Sequence, residues 1–161
     1  MWDCIDAAIC ITLDTATKRQ TQVQQELERV GLWQKTIMLV TERDAQSGLR
    51  GCYESHRKAW KLAHDRQMQT VLILEDDVFF SKDFYKHMPS VNKFVTAATD
   101  WDCFFLGWMP LRSRKTNWKH ITKIVCGTDT HAYIVNYRAL LKSLPSYDDV
   151  KMPIDLYLMC P

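Results

Sequence analysis

A chain of 161 residues with 47% hydrophobic content, five glycines and five prolines can bury one core and leaves little room for disorder. Its net charge of +2, with no stretch interleaving aromatics and a long basic run, argues against nucleic acid as a partner. Met1-Trp2-Asp3-Cys4-Ile5-Asp6 has no basic n-region and no apolar run reaches membrane-spanning length, so the expectation is a soluble, cytoplasmic protein without signal peptide or transmembrane segment.

In chain order, Ala8 to Leu13 reads as a short apolar strand. Lys18 to Val30 follows as a helix with Val23, Leu27 and Val30 on one face, stopped by Gly31. Thr36 to Val40 is a second strand, and after a polar loop a helix opens at Gly51 and runs to Ala63. Val71 to Leu74 is the third strand, Phe84 to Val95 a helix despite Pro89, and Cys103 to Leu106 a fourth strand. Strands alternating with helices predict a parallel, Rossmann-like sheet covered on both faces over the first two thirds. Beyond it, Met109 to His120 reads as a basic loop. Ile121 to Val125 and Ala132 to Val135 read as strands, and Tyr137 to Leu144 as a short helix.

Six cysteines stand at positions 4, 10, 52, 103, 126 and 160, with no C-x-x-C pair and no zinc-finger spacing. Cys10, Cys103 and Cys126 lie in or beside apolar runs, which favours reduced, structural thiols; the even number leaves disulfides open.

The densest chemistry lies where Val71-Leu72-Ile73-Leu74 stops in Glu75-Asp76-Asp77. Ligands of open α/β sheets bind beyond the carboxyl ends of parallel strands, so three carboxylates there mark a metal or nucleotide site. Side-chain alternation puts Glu75 and Asp77 on one face and Asp76 on the other if extended geometry continues. Adjacent carboxylates at the rim of an apolar interior need a compensating partner, and Mg²⁺ or Mn²⁺ suits them; a solvated acidic loop is the plain alternative. No G-x-x-x-x-G-K-[S/T] phosphate loop is present, and the first strand ends in Thr12-Leu13-Asp14 rather than a receiver domain's acidic pair.

Taken together, these segments resemble glycosyltransferase family 25, which includes lipooligosaccharide and collagen galactosyltransferases. The resemblance is carried by Gly51-Cys52-Tyr53-Glu54-Ser55-His56 with Ala59-Trp60, followed one helix later by Leu74-Glu75-Asp76-Asp77. Supporting matches are Ile11-Thr12-Leu13-Asp14 with Arg19, Trp101-Asp102 with Leu106-Gly107, Thr130-His131-Ala132-Tyr133 with Ala139-Leu140-Leu141, and Pro153-Ile154-Asp155. Arg138 stands where the family usually has Gly.

The resemblance implies a GT-A fold, a Rossmann-like mixed sheet flanked by helices, as one compact domain over residues 1–161 with an abbreviated acceptor side. It also implies a UDP-sugar donor, most often UDP-galactose, and a Mn²⁺ or Mg²⁺ ion bridging its diphosphate to a D-x-D-like Glu75-Asp76-Asp77. An inverting transfer to a hydroxyl of a glycan or glycoprotein acceptor completes the expectation. Asp77 is expected to ligate the metal directly with Glu75 behind it, and Asp76 to contact ribose or metal. Asp155 is the expected base, with a helix N-cap as its other reading and Asp129 in reserve. Thr12, Leu13 and Asp14 are expected at uracil and ribose, with Arg19 supplying charge; Asp14 is equally placed to cap the first helix. Ser55 and His56, near a helix start, are expected at the nucleotide, against packing as the ordinary fate of one histidine. His131 is placed to approach the sugar or metal, with a satisfied core histidine as the default reading, and Trp108 and Trp118 read as sugar-stacking or plain packing. A catalytically silent nucleotide-sugar-binding or scaffold module of the same fold is the rival reading.

Overall fold

In the computed structural model, which describes Met1–Cys160, alternation along two neighbouring strands divides the core in two. From β1 (Ala7–Leu13), Ala8 and Cys10 pack toward α1 (Thr17–Arg29) and α3 (Phe84–Ala97), while Ile9 and Ile11 pack toward α2 (Gly48–Asp65). From β3 (Thr70–Glu75), Leu72 and Leu74 join the first cluster and Val71 and Ile73 the second. Both faces are covered, so both central strands read as continuous apolar runs.

Five strands lie in the order β2-β1-β3-β5-β4, with β2 (Thr36–Thr41), β4 (Cys103–Lys115) and β5 (Thr122–Asn136) completing the sheet. The first three strands are mutually parallel, joined by α1 and α2 as crossover helices. β5 then inserts antiparallel beside β3, and β4 pairs antiparallel with β5 at the edge. The result is the expected Rossmann-like mixed sheet flanked by helices. Three short helices end the chain: α4 (Tyr137–Leu140), α5 (Tyr147–Val150) and α6 (Ile154–Met159). No helix among the described residues is long and apolar enough to cross a membrane.

Three sequence expectations need correction. The parallel sheet stops at three strands, because the fourth strand pairs only with β5 and antiparallel to it. The basic stretch from Met109 is no loop: β4 continues to Lys115, and the two later strand segments are one β5, paired through several register shifts. Those irregularities and the exposure of residues 109–115 erase the alternation that would betray a strand. Finally, the thiols are not all free, since Cys126 on β5 is joined to Cys160 after α6, 34 residues later. Cys4, Cys10, Cys52 and Cys103 remain free, Cys10 fully buried as a small hydrophobe.

Candidate active site

β3 ends at Glu75, and the next two residues turn out of the sheet. Glu75 keeps the alternation and faces α2, where its Oε1 lies 3.2 Å from His56 Nε2 and accepts the Thr130 hydroxyl at 3.3 Å. Asp76 turns to the α1 face, accepting the Thr12 hydroxyl at 2.6 Å and pairing with Arg19 at 3.1 Å. Asp77 returns to the Glu75 side, with His131 Nδ1 3.1 Å from its Oδ1 and 3.8 Å from Glu75 Oε2. Glu75, Asp77 and His131 each offer one ligand atom, all within 4.8 Å of one another. Two carboxylates and an imidazole, Asp77 and His131 exposed, fit a hard divalent ion that keeps water or phosphate in its other positions. His131 is therefore no core histidine; its side chain is 51% exposed.

A buried chain of hydrogen bonds holds Glu75 from behind. The Tyr133 oxygen receives the Trp60 indole N–H at 3.1 Å, so its own hydrogen goes to His56 Nδ1 at 2.9 Å. Burial raises the Tyr133 pKa well above the ordinary tyrosine value, keeping that hydrogen in place. His56 then directs a ring hydrogen on Nε2 at Glu75. Burial alone pushes the Glu75 carboxyl up, but the hydrogen bond and electrostatic attraction of His56, with His131 and Thr130, bring it below the ordinary glutamate value.

Between the ends of β1 and β2 and the start of α2 lies a cavity of about 240 Å³. Thr12, Leu13, Arg19, Ser55, His56, Glu75 and Asp76, grouped by the sequence reading around a donor, line it together, joined by Cys52, which that reading gave no site role, and by Arg43, which it did not name. Arg43 makes no ion pair among the described residues, and only its place at the end of β2 signals a role. Asp14 is not in the wall and does not cap α1, whose N-cap position is Ala16; it accepts the neighbouring Thr15 N–H at 2.7 Å. Ser55 and His56 stand two turns inside α2 rather than at its start, because the helix begins at Gly48 behind the Ser47 cap. The helix start that the sequence reading gave to these two residues is instead the backbone around Gly48 and Gly51, which lines the cavity. Ser55 is buried, 2.7 Å from the Gly51 carbonyl oxygen and 3.2 Å from Thr41 Oγ1.

Asp77 and His131 also open onto a larger groove of about 1310 Å³ between α3 and the β4–β5 pair, walled in part by Phe94, Phe104, Trp108 and Trp118. Asp155 and Asp129 meet, since Asp155 Oδ2 accepts the Asp129 backbone N–H at 3.2 Å and Oδ1 accepts that of Leu156 at 2.8 Å. Asp155 is not an N-cap; Pro153 holds that position of α6. Burial pushes the Cys52 thiol up to about 12, and Glu75, Asp155 and Asp77 add to the rise, so Asp155 shares the electrostatic neighbourhood of the acidic strand end.

Residues 40–158, most of the chain, match the sequence model of glycosyltransferase family 25, described as LPS biosynthesis protein. The chain belongs to glycosyltransferase family 25. Among curated relatives, human procollagen galactosyltransferase 2 is 34% identical over 68 residues, covering 42% of this chain and 11% of that protein. Zebrafish (Danio rerio) procollagen galactosyltransferase 1 is 27% identical over 124 residues, 72% of this chain and 20% of that protein. A glycosyltransferase 25 family member of Drosophila melanogaster is 22% identical over 184 residues, 96% of this chain and 30% of that protein. This family 25 chain thus spans less than a third of the length of these relatives. The family match contains the Gly51–His56 segment, the acidic strand end, His131 and Asp155.

Proposed function

We propose that this protein is a metal-dependent, inverting glycosyltransferase that moves a hexose, galactose by analogy with the named relatives, from a UDP-sugar to a hydroxyl of a glycan or glycosylated protein. The observation that carries it is the Glu75–Asp77–His131 triad beside the cavity walled by Thr12, Arg19 and Asp76. In this reading Asp77 and His131 would hold the ion, and Glu75, fixed by His56 and Thr130, would complete the protein's share. An ion held there would supply positive charge to offset the negative charge developing on a departing diphosphate. Thr12 and Leu13 meet the nucleoside. Arg19 and Arg43 supply positive charge to phosphate oxygens, with Asp76 orienting Arg19 through their ion pair. Asp155 takes the proton from the acceptor hydroxyl on the face opposite the leaving group. Its carboxylate is already oriented by the Asp129 and Leu156 N–H groups.

The test is a panel of UDP-sugars with Mn²⁺ or Mg²⁺, reading both binding and release of UDP. Turnover in the wild type that falls by about 10²–10⁴-fold in Asp155→Asn, with donor binding retained, identifies the base. Asp77→Ala is expected to weaken metal-dependent donor binding as well as turnover. Binding without turnover for any donor and acceptor would instead establish the silent-module reading, and absence of UDP-sugar binding would remove both.

A further inference from the structure

Glu75 belongs to a second potential ligand set. Cys52, His56 and Glu75 each offer a ligand atom, all within 4.8 Å of one another. Cys52 and His56 are one turn apart on α2, so the helix presents them on one face. The 3.2 Å between His56 Nε2 and Glu75 Oε1 is close to the edge of about 3.3 Å that two ligands span on a tetrahedral zinc with bonds of about 2.0–2.1 Å. Cys52 is exposed as a residue although its thiol is partly desolvated, and it lines the small cavity, which supplies an entry path and room for a water as fourth ligand.

We propose that Cys52, His56 and Glu75 form a site for a thiophilic divalent cation of the Zn²⁺ type. A thiolate, an imidazole and a carboxylate select such an ion over Mn²⁺ or Mg²⁺, which prefer the oxygen-rich neighbour. On loading, Cys52 gives its proton to solvent, and the His56 ring hydrogen moves from Nε2 to Nδ1, where the Tyr133 oxygen accepts it at the expense of that hydroxyl's present bond. Since Glu75 serves both sets, Zn²⁺ here draws the carboxylate from Asp77 and His131. That consequence, inhibition of metal-supported transfer, rests on the function proposed above; the cation site itself does not.

The experiment uses Co²⁺ as a spectroscopic stand-in, titrated into the full chain with its disulfide intact. The expected result is a thiolate-to-cobalt charge-transfer band in the near ultraviolet that saturates at one ion per chain and is bleached by Zn²⁺. Cys52→Ala abolishes the band, His56→Gln weakens affinity by at least about tenfold, and His131→Ala leaves the band in place. A band that survives Cys52→Ala, or cobalt binding without any thiolate band, overturns the site. Because the spectrum is read without donor or acceptor, its failure is separate from a failure of glycosyl transfer.

Discussion

Gly51 shows how one side chain is excluded by another. A Cβ built on it would lie 2.8 Å from the Cβ of Asp44, closer than packed carbons approach. Asp44 cannot easily yield, because its carboxylate accepts the Gln46 and Ser47 N–H groups and pairs with Arg50 at 2.8 Å. That arrangement shapes the chain entering α2 and one wall of the small cavity. Gly51→Ala is therefore expected to destabilise the fold by about 1–3 kcal/mol, measured by urea unfolding, and to weaken UDP-sugar binding at temperatures where the variant is folded. An unchanged unfolding midpoint would show that the Asp44 turn relaxes freely. The sequence marks Gly51 as the opening of a helix; the structure gives the glycine a different reason, a close approach one turn inside it.

At the scale of elements, α6 carries Asp155 but is only six residues long, too short to be stable alone. Its position is held by Ile154 and Met159, which are buried, and by the bond from Cys160 to Cys126 on β5. Closing a loop over a sequence separation of 34 residues stabilises by about 3–4 kcal/mol in the chain-entropy account. Replacing both cysteines by serine should lower the urea midpoint accordingly, and dithiothreitol should bring the wild type to the same value. If neither changes the midpoint, α6 is held by packing alone. This link was beyond reach of the sequence, where Cys126 sits in an apolar run and nothing marks Cys160 as its neighbour. The same holds for the β4–β5 pair, whose exposed and irregular register carries no period-two signal. The parallel trio was legible because β1 and β3, buried on both faces, read as apolar runs, and two amphipathic crossover helices separate the three strands. Arg43 was missed, and His131 was set down as core by default, for another reason: a residue's exposure and company at a site are set by strand order, which no local pattern encodes.

Across the whole molecule, Glu26 ties the α1 layer to the segment that follows the acidic strand end. Its Oε1 accepts the Phe80 backbone N–H at 2.6 Å, and its two oxygens receive the Arg29 guanidinium at 2.6 and 2.8 Å. Arg29 also donates to the Phe80 carbonyl at 2.8 Å. The Arg29 hydrogen bond, offset by burial but reinforced by the Phe80 N–H and the Arg29 charge, lowers the Glu26 pKa below the ordinary glutamate value. A carboxyl depressed in the folded state contributes stability that is complete above its unfolded pKa of about 4.3 and is lost as pH falls through the lower folded value. Glu75 acts in the same direction on the other face of the sheet. Unfolding by guanidinium followed from pH 7 to pH 3 should therefore show stability flat in the neutral range and falling below about pH 4.3. Glu26→Gln retains an acceptor for Phe80 but loses the charge pairing; with Arg29 41% exposed, about 1 kcal/mol is expected at pH 7. The discriminating observation is the slope: the variant should lose less stability than the wild type on acidification, and equal slopes would mean that Glu26 titrates alike in both states. Because Phe80 follows Asp77 by three residues, slackening this tie should also loosen the acidic strand end, so metal affinity in Glu26→Gln should fall while that for UDP alone is retained.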